Sequence, residues 1–207
     1  MTPKHTALHD EHAKLGASFT DFGGWDMPLK YGSELAEHRA VRETAGLFDL
    51  SHMGEVWVSG PDAAAYLNTA LAGNLAAVRV GKAKYSFICD ERGGIIDDLI
   101  VYRIAGEGRA ESRYLVVPNA GNAPTVAAAL VERAAGFDVE VTDASEETSL
   151  IAVQGPESER ILLGLVREED RTAVAELPYY AWVAVEIEGI GILLARTGYT
   201  GEDGFEL

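Results

Sequence analysis

The stretch from Glu55 to Asp143 restricts the possible folds of this chain more than any other part of the sequence. Its pattern predicts a strand, a helix, a hairpin followed by one further strand, a second helix and a last strand. The hairpin is predicted because "KAKYSFICD" and "GIIDDLIVYRI" are strand-like runs joined by a short connection that contains glycine. This order is close to a split βαβ layout, an antiparallel sheet with two helices on one face, so we predict an α+β fold.

The segments before and after this stretch predict a second set of elements. We expect a first helix within Thr6–Leu15 and a second one capped by Ser33, with the glycine- and proline-broken run "FGGWDMPLKY" as a loop between them. After residue 143 the pattern predicts the strand "SLIAVQG" and then a helix that Pro156 opens. Two long strands meet at a turn at Glu188–Gly189, and "GFEL" begins a strand in which the sequence ends. These elements predict further antiparallel strands with flanking helices.

The charge of the chain argues against one large class of partners. The 207 residues include 33 acidic and 17 basic ones, which gives a net charge of −16. Nucleic-acid binding draws most of its affinity from Lys and Arg, so we expect no nucleic-acid partner. No apolar run is long enough to cross a bilayer, the N-terminus lacks the apolar core of a secretory signal, and Cys89 has no second cysteine with which to form a disulfide. We therefore expect a protein of the cytosol or an organelle lumen, with no membrane partner.

Two adjacent carboxylates, Asp97 and Asp98, interrupt the apolar run "GGIIDDLIVYR". Successive side chains of a strand point to opposite faces, so without a bulge the two do not share a proton or ligate one metal. Asp97 lies on the face of Arg103, and we expect it to accept hydrogen bonds from a turn or to pair with a base. Asp98 lies beside Tyr102, and Tyr85 of the partner strand could approach it. This face fits either a pocket for a flat heteroaromatic ligand with N–H donors or a satisfied core aspartate.

The segment "RTGYTGEDGFEL" is a second candidate site because it combines glycines, a tyrosine and acids. Its glycine spacing matches neither a Walker A loop nor a dinucleotide-binding fingerprint. Alternation places Glu206 opposite Phe205 and Leu207, where it could accept a ligand's donors, although a solvent-facing strand residue fits the pattern better. Tyr179 and Tyr180 fit a core or a pocket wall equally well.

The five histidines do not show a zinc-binding spacing. His5 and His9 are four residues apart on the predicted helix, but no third ligand is near them in sequence, which favours a solvated helix face. His52 has no catalytic signature around it and is expected to be a core or hinge residue. Cys89 is expected to be a small buried residue.

Five ordered motifs resemble the aminomethyltransferase family, the T-protein of the glycine cleavage system. They are "FGGWDMPLKY", "EHRAVRETAGLFDLSHMGEVWVSGPDA", "GKAKYSFICDERGGIIDDLIVYR", "VQGP" and "RTGYTGEDGFEL". The resemblance runs from Phe22 to the end and implies the N-terminal part of that family, truncated before a C-terminal barrel domain. It also implies a discontinuous folate-binding subdomain of residues 1–51 and 144–207, and an inserted split-βαβ (ferredoxin-like) subdomain of residues 52–143.

The resemblance implies a tetrahydrofolate-dependent transferase. Such an enzyme takes the aminomethyl group from the lipoyl arm of H-protein, releases ammonia and forms 5,10-methylenetetrahydrofolate, with tetrahydrofolate as acceptor and no metal. A bacterial-type protein would be cytoplasmic, and a eukaryotic one would lie in the mitochondrial matrix. The resemblance places the essential aspartate at Asp98 and the pterin-binding glutamate at Glu206. The other folate contacts that it implies are Tyr85, Ile100, Tyr102, Asn119, Tyr180 (or Tyr179) and Tyr199.

Three alternatives accompany this interpretation. The folate domains of dimethylglycine and sarcosine dehydrogenases carry similar motifs, but they normally follow a flavin domain, whereas only a short helix precedes Phe22 here. A folate-binding tRNA-modification factor typically has a cysteine-bearing "CYTGQE" where this chain has "GYTGED". The third alternative is a non-catalytic module that binds folate or docks H-protein, and the presence of Asp98 favours the enzyme over it.

Overall fold

The structure is a computed structural model that describes residues 2–106 and 112–207. The chain divides into two compact units, which are described separately below. The first unit is formed by Met1–His52 and Ser149–Leu207, and the second by Met53–Thr148. Among the described residues, no helix is long and apolar enough to span a membrane.

The described residues form helices and strands in the following chain order. The helices are α1 (His9–Lys14), α2 (Glu34–Glu43), α3 (Ala63–Ala70), α4 (Ala123–Arg133), α5 (Ser158–Leu163) and α6 (Arg171–Ala175), with a short 3-10 helix at Glu168–Asp170. The strands are β1 (Ser18–Phe22), β2 (Trp25–Lys30), β3 (Gly46–Asp49), β4 (Val56–Ser59), β5 (Ala83–Cys89), β6 (Ile95–Ala105), β7 (Ser112–Pro118), β8 (Glu140–Asp143), β9 (Ile151–Gln154), β10 (Trp182–Ile187), β11 (Ile190–Ala195) and β12 (Gly204–Glu206).

The second unit has the layout that the sequence predicted. Its five strands form one antiparallel sheet in the order β5-β6-β7-β4-β8, and α3 and α4 supply buried residues to its core. Tyr66 and Leu67 of α3 and Leu130 of α4 pack with Leu99 and Val101 of β6. The predicted α+β class and the predicted order of strand, helix, hairpin plus strand, helix and strand are confirmed.

An irregularity at the start of β6 corrects one face assignment. The pairing of β5 with β6 shifts register at Ile88–Cys89, where Cys89 pairs with Ile95 and Ile88 pairs with Asp97. Ile96 is therefore the additional residue of a bulge. It packs against the core beside α3 and α4, whereas Ile95, which was expected to share the face of Asp97, is 63% exposed. From Asp97 onwards the predicted alternation holds.

The first unit contains a second five-stranded sheet, in the order β10-β11-β12-β9-β3. Leu162 of α5 and Val174 of α6 pack with Leu194 and Phe205 of the sheet in a separate core. The predicted turn between β10 and β11 is confirmed at Glu188–Gly189, where both residues have positive φ. The sequence patterns did not predict α6, whose five residues are too few to show helical periodicity.

The segment around the double glycine is a hairpin, so the loop predicted for "FGGWDMPLKY" is wrong. Strands β1 and β2 pair across a turn at Gly23–Gly24, where both glycines have positive φ. Pro28 lies inside β2, which a two-stranded sheet tolerates because one edge of each strand needs no donor. Ser33 caps α2 as predicted, since its hydroxyl accepts a hydrogen bond from the Ala36 N–H at 3.4 Å.

Candidate functional site

Asp97 is a structural acceptor at the start of α4. Its side chain is buried, and its Oδ2 accepts the Asn119 backbone N–H at 2.8 Å. Its Oδ1 accepts the side-chain amides of Asn119 at 3.1 Å and Asn122 at 2.8 Å. Asp97 thus joins β6 to the turn between β7 and α4, which is the structural role that the alternation pattern favoured.

Asp98 lies on the other face of β6 and is exposed. The Tyr85 hydroxyl donates to its Oδ2 at 2.8 Å, and the Asn119 amide donates to its Oδ1 at 3.1 Å. The alternative of a core aspartate is therefore wrong, because the side chain is exposed and accepts hydrogen bonds from two protein donors. The two aspartates do not form a pair, as predicted, and the Asp98 carboxylate is held in one orientation.

The residues around Asp98 form one continuous surface of the second unit. In the β5–β6 register, Tyr85 pairs with Ile100, and residues paired in this way share a face. Tyr102 lies two residues beyond Ile100 on the same face and is buried. We call the set of Tyr85, Asp98, Ile100, Tyr102 and Asn119 the Asp98 surface. All five residues were predicted site residues, and the fold places them together within one unit.

The first unit contains a cavity of about 240 Å³. Its lining comes from strands β3, β9 and β12, from the residue just after β3 and from the loop before β12. The residues that line it are Phe48, Leu50, Ala152, Gln154, Gly198, Tyr199, Thr200 and Glu206. Apart from Gln154, Thr200 and Glu206, the lining side chains are apolar or aromatic, as is typical of small-molecule sites.

Glu206 is the acidic residue of this cavity. It is only 8% exposed, so the solvent-facing alternative is wrong, and Phe205 on the opposite face belongs to the core as the alternation predicted. The Thr197 hydroxyl donates to Glu206 Oε2. Burial raises the pKa of Tyr180, and the nearby Tyr179 and the Glu206 carboxyl raise it further. The partly buried Tyr180 is therefore close enough to Glu206 to interact with its charge, whereas Tyr179 is 60% exposed.

Gln154 organises the cavity and was missed as a site residue, although it lies in the quoted motif "VQGP". Its side chain is almost fully buried, with Nε2 donating to the Phe205 carbonyl at 3.4 Å and Oε1 accepting the Thr200 hydroxyl at 3.0 Å. A Cβ built on Gly198 or Gly204 would collide with this amide. Gly198 and Gly204 of the last motif are therefore explained by the close approach of backbone to the Gln154 side chain.

Ion pairs hold the loop that carries the predicted contact Tyr199. Arg196 donates to Asp203 Oδ1 at 2.8 Å and to Glu159 at 3.0 Å, and Arg42 donates to Glu202 at 3.0 Å. Tyr199 lies between these anchors with its side chain 84% exposed. The loop is thus fastened on both sides of an aromatic residue that is accessible to a ligand.

The remaining candidates have structural surroundings. His52 is buried against the ring edges of Phe22 and Trp25, and burial lowers its pKa against the opposing effect of Asp49, which fits the predicted core histidine. Cys89 is only partly buried, contrary to expectation, because it lies at the register shift of β5.

The histidines near the N-terminus differ from the prediction. His5 precedes α1, and the His9 side chain is only 18% exposed, so the two do not form a solvated helix face. A third candidate ligand, Asp26 of the β1–β2 hairpin, lies beside them in space. Sequence patterns carried no signal for Asp26, because the hairpin that holds it was not predicted.

Comparison with known sequences relates the chain to one family. The model of the GCVT N-terminal domain matches residues 8–207. The chain is 58% identical over 203 residues to an aminomethyltransferase from Corynebacterium aurimucosum, a match that covers 98% of this chain and 54% of that protein. It is 58% identical over 205 residues to an aminomethyltransferase from Streptomyces avermitilis, covering 99% of this chain and 53% of that protein. The chain thus spans about half the length of the curated relatives it matches.

Solved structures show the same relationship. The glycine cleavage system aminomethyltransferase T from Bartonella henselae has a TM-score of 0.86 and 40% identity, over 98% of this chain and 52% of that one. The heterotetrameric sarcosine oxidase from Corynebacterium sp. U-96 has a TM-score of 0.55 and 14% identity, over 83% of this chain and 80% of that one. The second likeness concerns the fold alone.

Proposed function

Because this chain belongs to the GCVT N-terminal domain family, we propose that the protein transfers an aminomethyl group to tetrahydrofolate. The resemblance that the five sequence motifs indicated is confirmed by the related aminomethyltransferases. The carbon of the aminomethyl group passes to tetrahydrofolate as the methylene of 5,10-methylenetetrahydrofolate, and its nitrogen leaves as ammonia. The donor sulfur atom is released as a thiol.

The observation that carries the folate part of this proposal is the buried carboxylate of Glu206 beside a largely apolar cavity. A carboxylate in such surroundings is costly unless it accepts hydrogen bonds. Thr197 supplies one of them. A pterin ring carries adjacent N–H and NH2 groups whose spacing matches the two oxygens of a carboxylate. We assign Glu206 to the pterin donors, with Tyr180 and Tyr199 as contacts to the ring.

The Asp98 surface is assigned to the transfer step. Both oxygens of Asp98 accept a hydrogen bond from a fixed donor, so the carboxylate does not have to reorganise as charge develops. Positive, iminium-like charge develops on the one-carbon unit as ammonia leaves, and a carboxylate of fixed orientation stabilises it. Tyr85, Ile100, Tyr102 and Asn119 are assigned to folate contacts on this surface.

The proposed donor of the aminomethyl group is the lipoyl arm of H-protein. Support for this partner comes from the relative from Bartonella henselae, which is a glycine cleavage system aminomethyltransferase. The folate domain of a dimethylglycine or sarcosine dehydrogenase-like protein is the alternative. Identity of 58% to a named aminomethyltransferase favours the first assignment. The likeness to sarcosine oxidase, at 14% identity, concerns the fold alone.

A titration with tetrahydrofolate tests the assignment of Glu206. Glu206→Gln replaces one acceptor oxygen with a donor that opposes the pterin amine, so we expect the dissociation constant to rise about tenfold to a hundredfold in calorimetry. Glu188→Gln makes the same change at the exposed β10–β11 turn of the same sheet and should leave binding unchanged. Equal affinity of wild type and Glu206→Gln would remove Glu206 from the folate site.

A further inference from the structure

The N-terminal segment is attached to the β1–β2 hairpin by its backbone. Lys4 forms a parallel bridge with Trp25, in which the Lys4 N–H donates to the Gly24 carbonyl at 2.9 Å and the Asp26 N–H donates to the Lys4 carbonyl at 2.8 Å. This pairing brings His5 next to Asp26 on the hairpin. The first turn of α1 adds His9, so three separate pieces of chain contribute one side chain each to the same place.

The candidate ligand atoms of these three side chains converge. Asp26 Oδ2 lies 3.2 Å from His9 Nε2 and 3.8 Å from His5 Nε2. One candidate ligand atom from each residue lies within 4.8 Å of the other two. The two imidazole rings are stacked almost parallel at a centroid distance of 3.8 Å, so one ring has to turn before both nitrogens point at one ion. Nitrogen and oxygen ligands bound to one tetrahedral ion at about 2.0–2.1 Å are roughly 3.4 Å apart. The two measured distances to Asp26 bracket that value.

We propose that His5, His9 and Asp26 form a binding site for a divalent transition-metal ion, with Zn²⁺ as the ion tested first. Two imidazole nitrogens and one carboxylate oxygen suit zinc and its neighbours in the first transition series, and they do not suit Mg²⁺ or Ca²⁺, which prefer oxygen ligands. The His5 side chain is half exposed, so solvent can complete the coordination sphere. The site shares no residue with the folate cavity or with the Asp98 surface.

The surroundings of His9 support a metal ligand over a surface ion pair. Its ring packs on Phe19 at a centroid distance of 4.6 Å, which limits its rotation. Its second nitrogen, Nδ1, is buried without a hydrogen-bond partner among the described residues, and the exposed Asp10 carboxylate lies 3.6 Å from it. The net charge of −16 also favours the approach of cations.

A bound ion would connect the N-terminal segment, α1 and the hairpin. Because the ion binds the folded arrangement and the unfolded chain offers no assembled site, it should stabilise the fold by an amount that grows with the logarithm of its concentration above the dissociation constant. The measurable consequence is a zinc-dependent rise in melting temperature that needs all three side chains.

Calorimetric titration of the chelator-treated protein with ZnCl2, together with the visible spectrum of the Co²⁺ form, tests the proposal. We expect one ion per chain in the wild type. His9→Gln and Asp26→Asn should each weaken binding by about a hundredfold or more, a larger loss than the tenfold to hundredfold typical of groups that only support the ligands. Both variants should also lose the zinc-dependent rise in melting temperature. Circular dichroism in the absence of metal shows whether each variant is folded.

Two matched controls separate the site from general effects. His38→Gln removes an exposed histidine of α2, and Glu11→Gln removes an acidic charge of α1. Both should bind Zn²⁺ as the wild type does. The proposal is overturned if the wild type shows no saturable binding of one ion, or if folded His9→Gln and Asp26→Asn variants keep wild-type affinity. Neither result depends on folate binding or on aminomethyl transfer.

Discussion

At the scale of single residues, the neighbours Asp97 and Asp98 show how one step along a strand changes what a carboxylate does. Asp97 is enclosed by the donors of Asn119 and Asn122, whereas Asp98 is exposed and oriented. Alternation along β6 was sufficient to predict that the two point apart. It could not predict the donors of Asp97, which come from the turn after β7, whereas the approach of Tyr85 to Asp98 was expected from the predicted hairpin.

The difference between the two aspartates predicts different effects on stability. Asp97→Asn places an amide against the donors of Asn119 and Asn122, so we expect a loss of about 3 kcal/mol in the free energy of unfolding. Asp98→Asn should change it by less than about 1 kcal/mol, because water can solvate the exposed amide. Urea unfolding of both variants checks this, and similar losses for the two would contradict the assigned roles.

A second prediction concerns Glu55, whose carboxyl group is buried without a hydrogen-bond partner among the described residues. Burial, together with the negative charge of Asp143, raises the pKa of Glu55 from 4.5 to about 8. Between these two values the folded chain keeps a proton that the unfolded chain releases. Stability should therefore fall as pH rises from about 4.5 to about 8, by up to about 5 kcal/mol.

The variant Glu55→Gln should remove most of this pH dependence and stabilise the protein at pH 8. Glu140→Gln, an exposed substitution on β8, is the control and should keep the wild-type profile. Chemical unfolding at several pH values between 4 and 9 measures the effect. A wild-type stability that is flat or rising across this range, with no difference in the Glu55→Gln variant, would show that the carboxyl group is solvated.

At the scale of elements, the strands and helices with strong patterns were predictable and the irregular ones were not. The runs that form β4, β5 and β6 were predicted as strands because apolar and polar residues alternate along them. The hairpin of β1 and β2 did not, because its Gly23–Gly24 turn and Pro28 look like the breaks of a loop. The bulge at Ile96 was equally invisible, since it depends on how β5 pairs with β6.

The packing of backbone on Gln154 predicts a specific glycine requirement. Gly204→Ala would press a methyl group into the Gln154 amide, which cannot move freely because Thr200 and the Phe205 carbonyl hold it. We expect a loss of about 2 kcal/mol, the usual cost of overpacking. Gly191→Ala on β11 meets no atom within 4 Å and should cost much less. Thermal unfolding of the two variants provides the comparison, and equal melting temperatures would contradict it.

At the scale of the whole molecule, sheet order creates the candidate sites. The cavity combines Phe48, Gln154 and Glu206 because β9 lies between β3 and β12, although these strands are far apart in sequence. Local patterns carry no information on such an order. The resemblance in five motifs did carry it, because it relates the whole chain to a known fold. The resemblance did not identify every residue of the cavity, since Gln154 lies in the motif "VQGP" but no role was predicted for its side chain.

We propose that this protein transfers an aminomethyl group to tetrahydrofolate with the help of Asp98. The most direct test measures 5,10-methylenetetrahydrofolate formed from aminomethylated H-protein, for the wild type, Asp98→Asn and Asp97→Asn. We expect Asp98→Asn to bind folate but to lose about a hundredfold in turnover, the usual effect of removing one electrostatic partner of the transition state. Asp97→Asn should keep its turnover at a temperature where it remains folded. Wild-type turnover in a folded Asp98→Asn variant, or no product from the wild type, would contradict the claim.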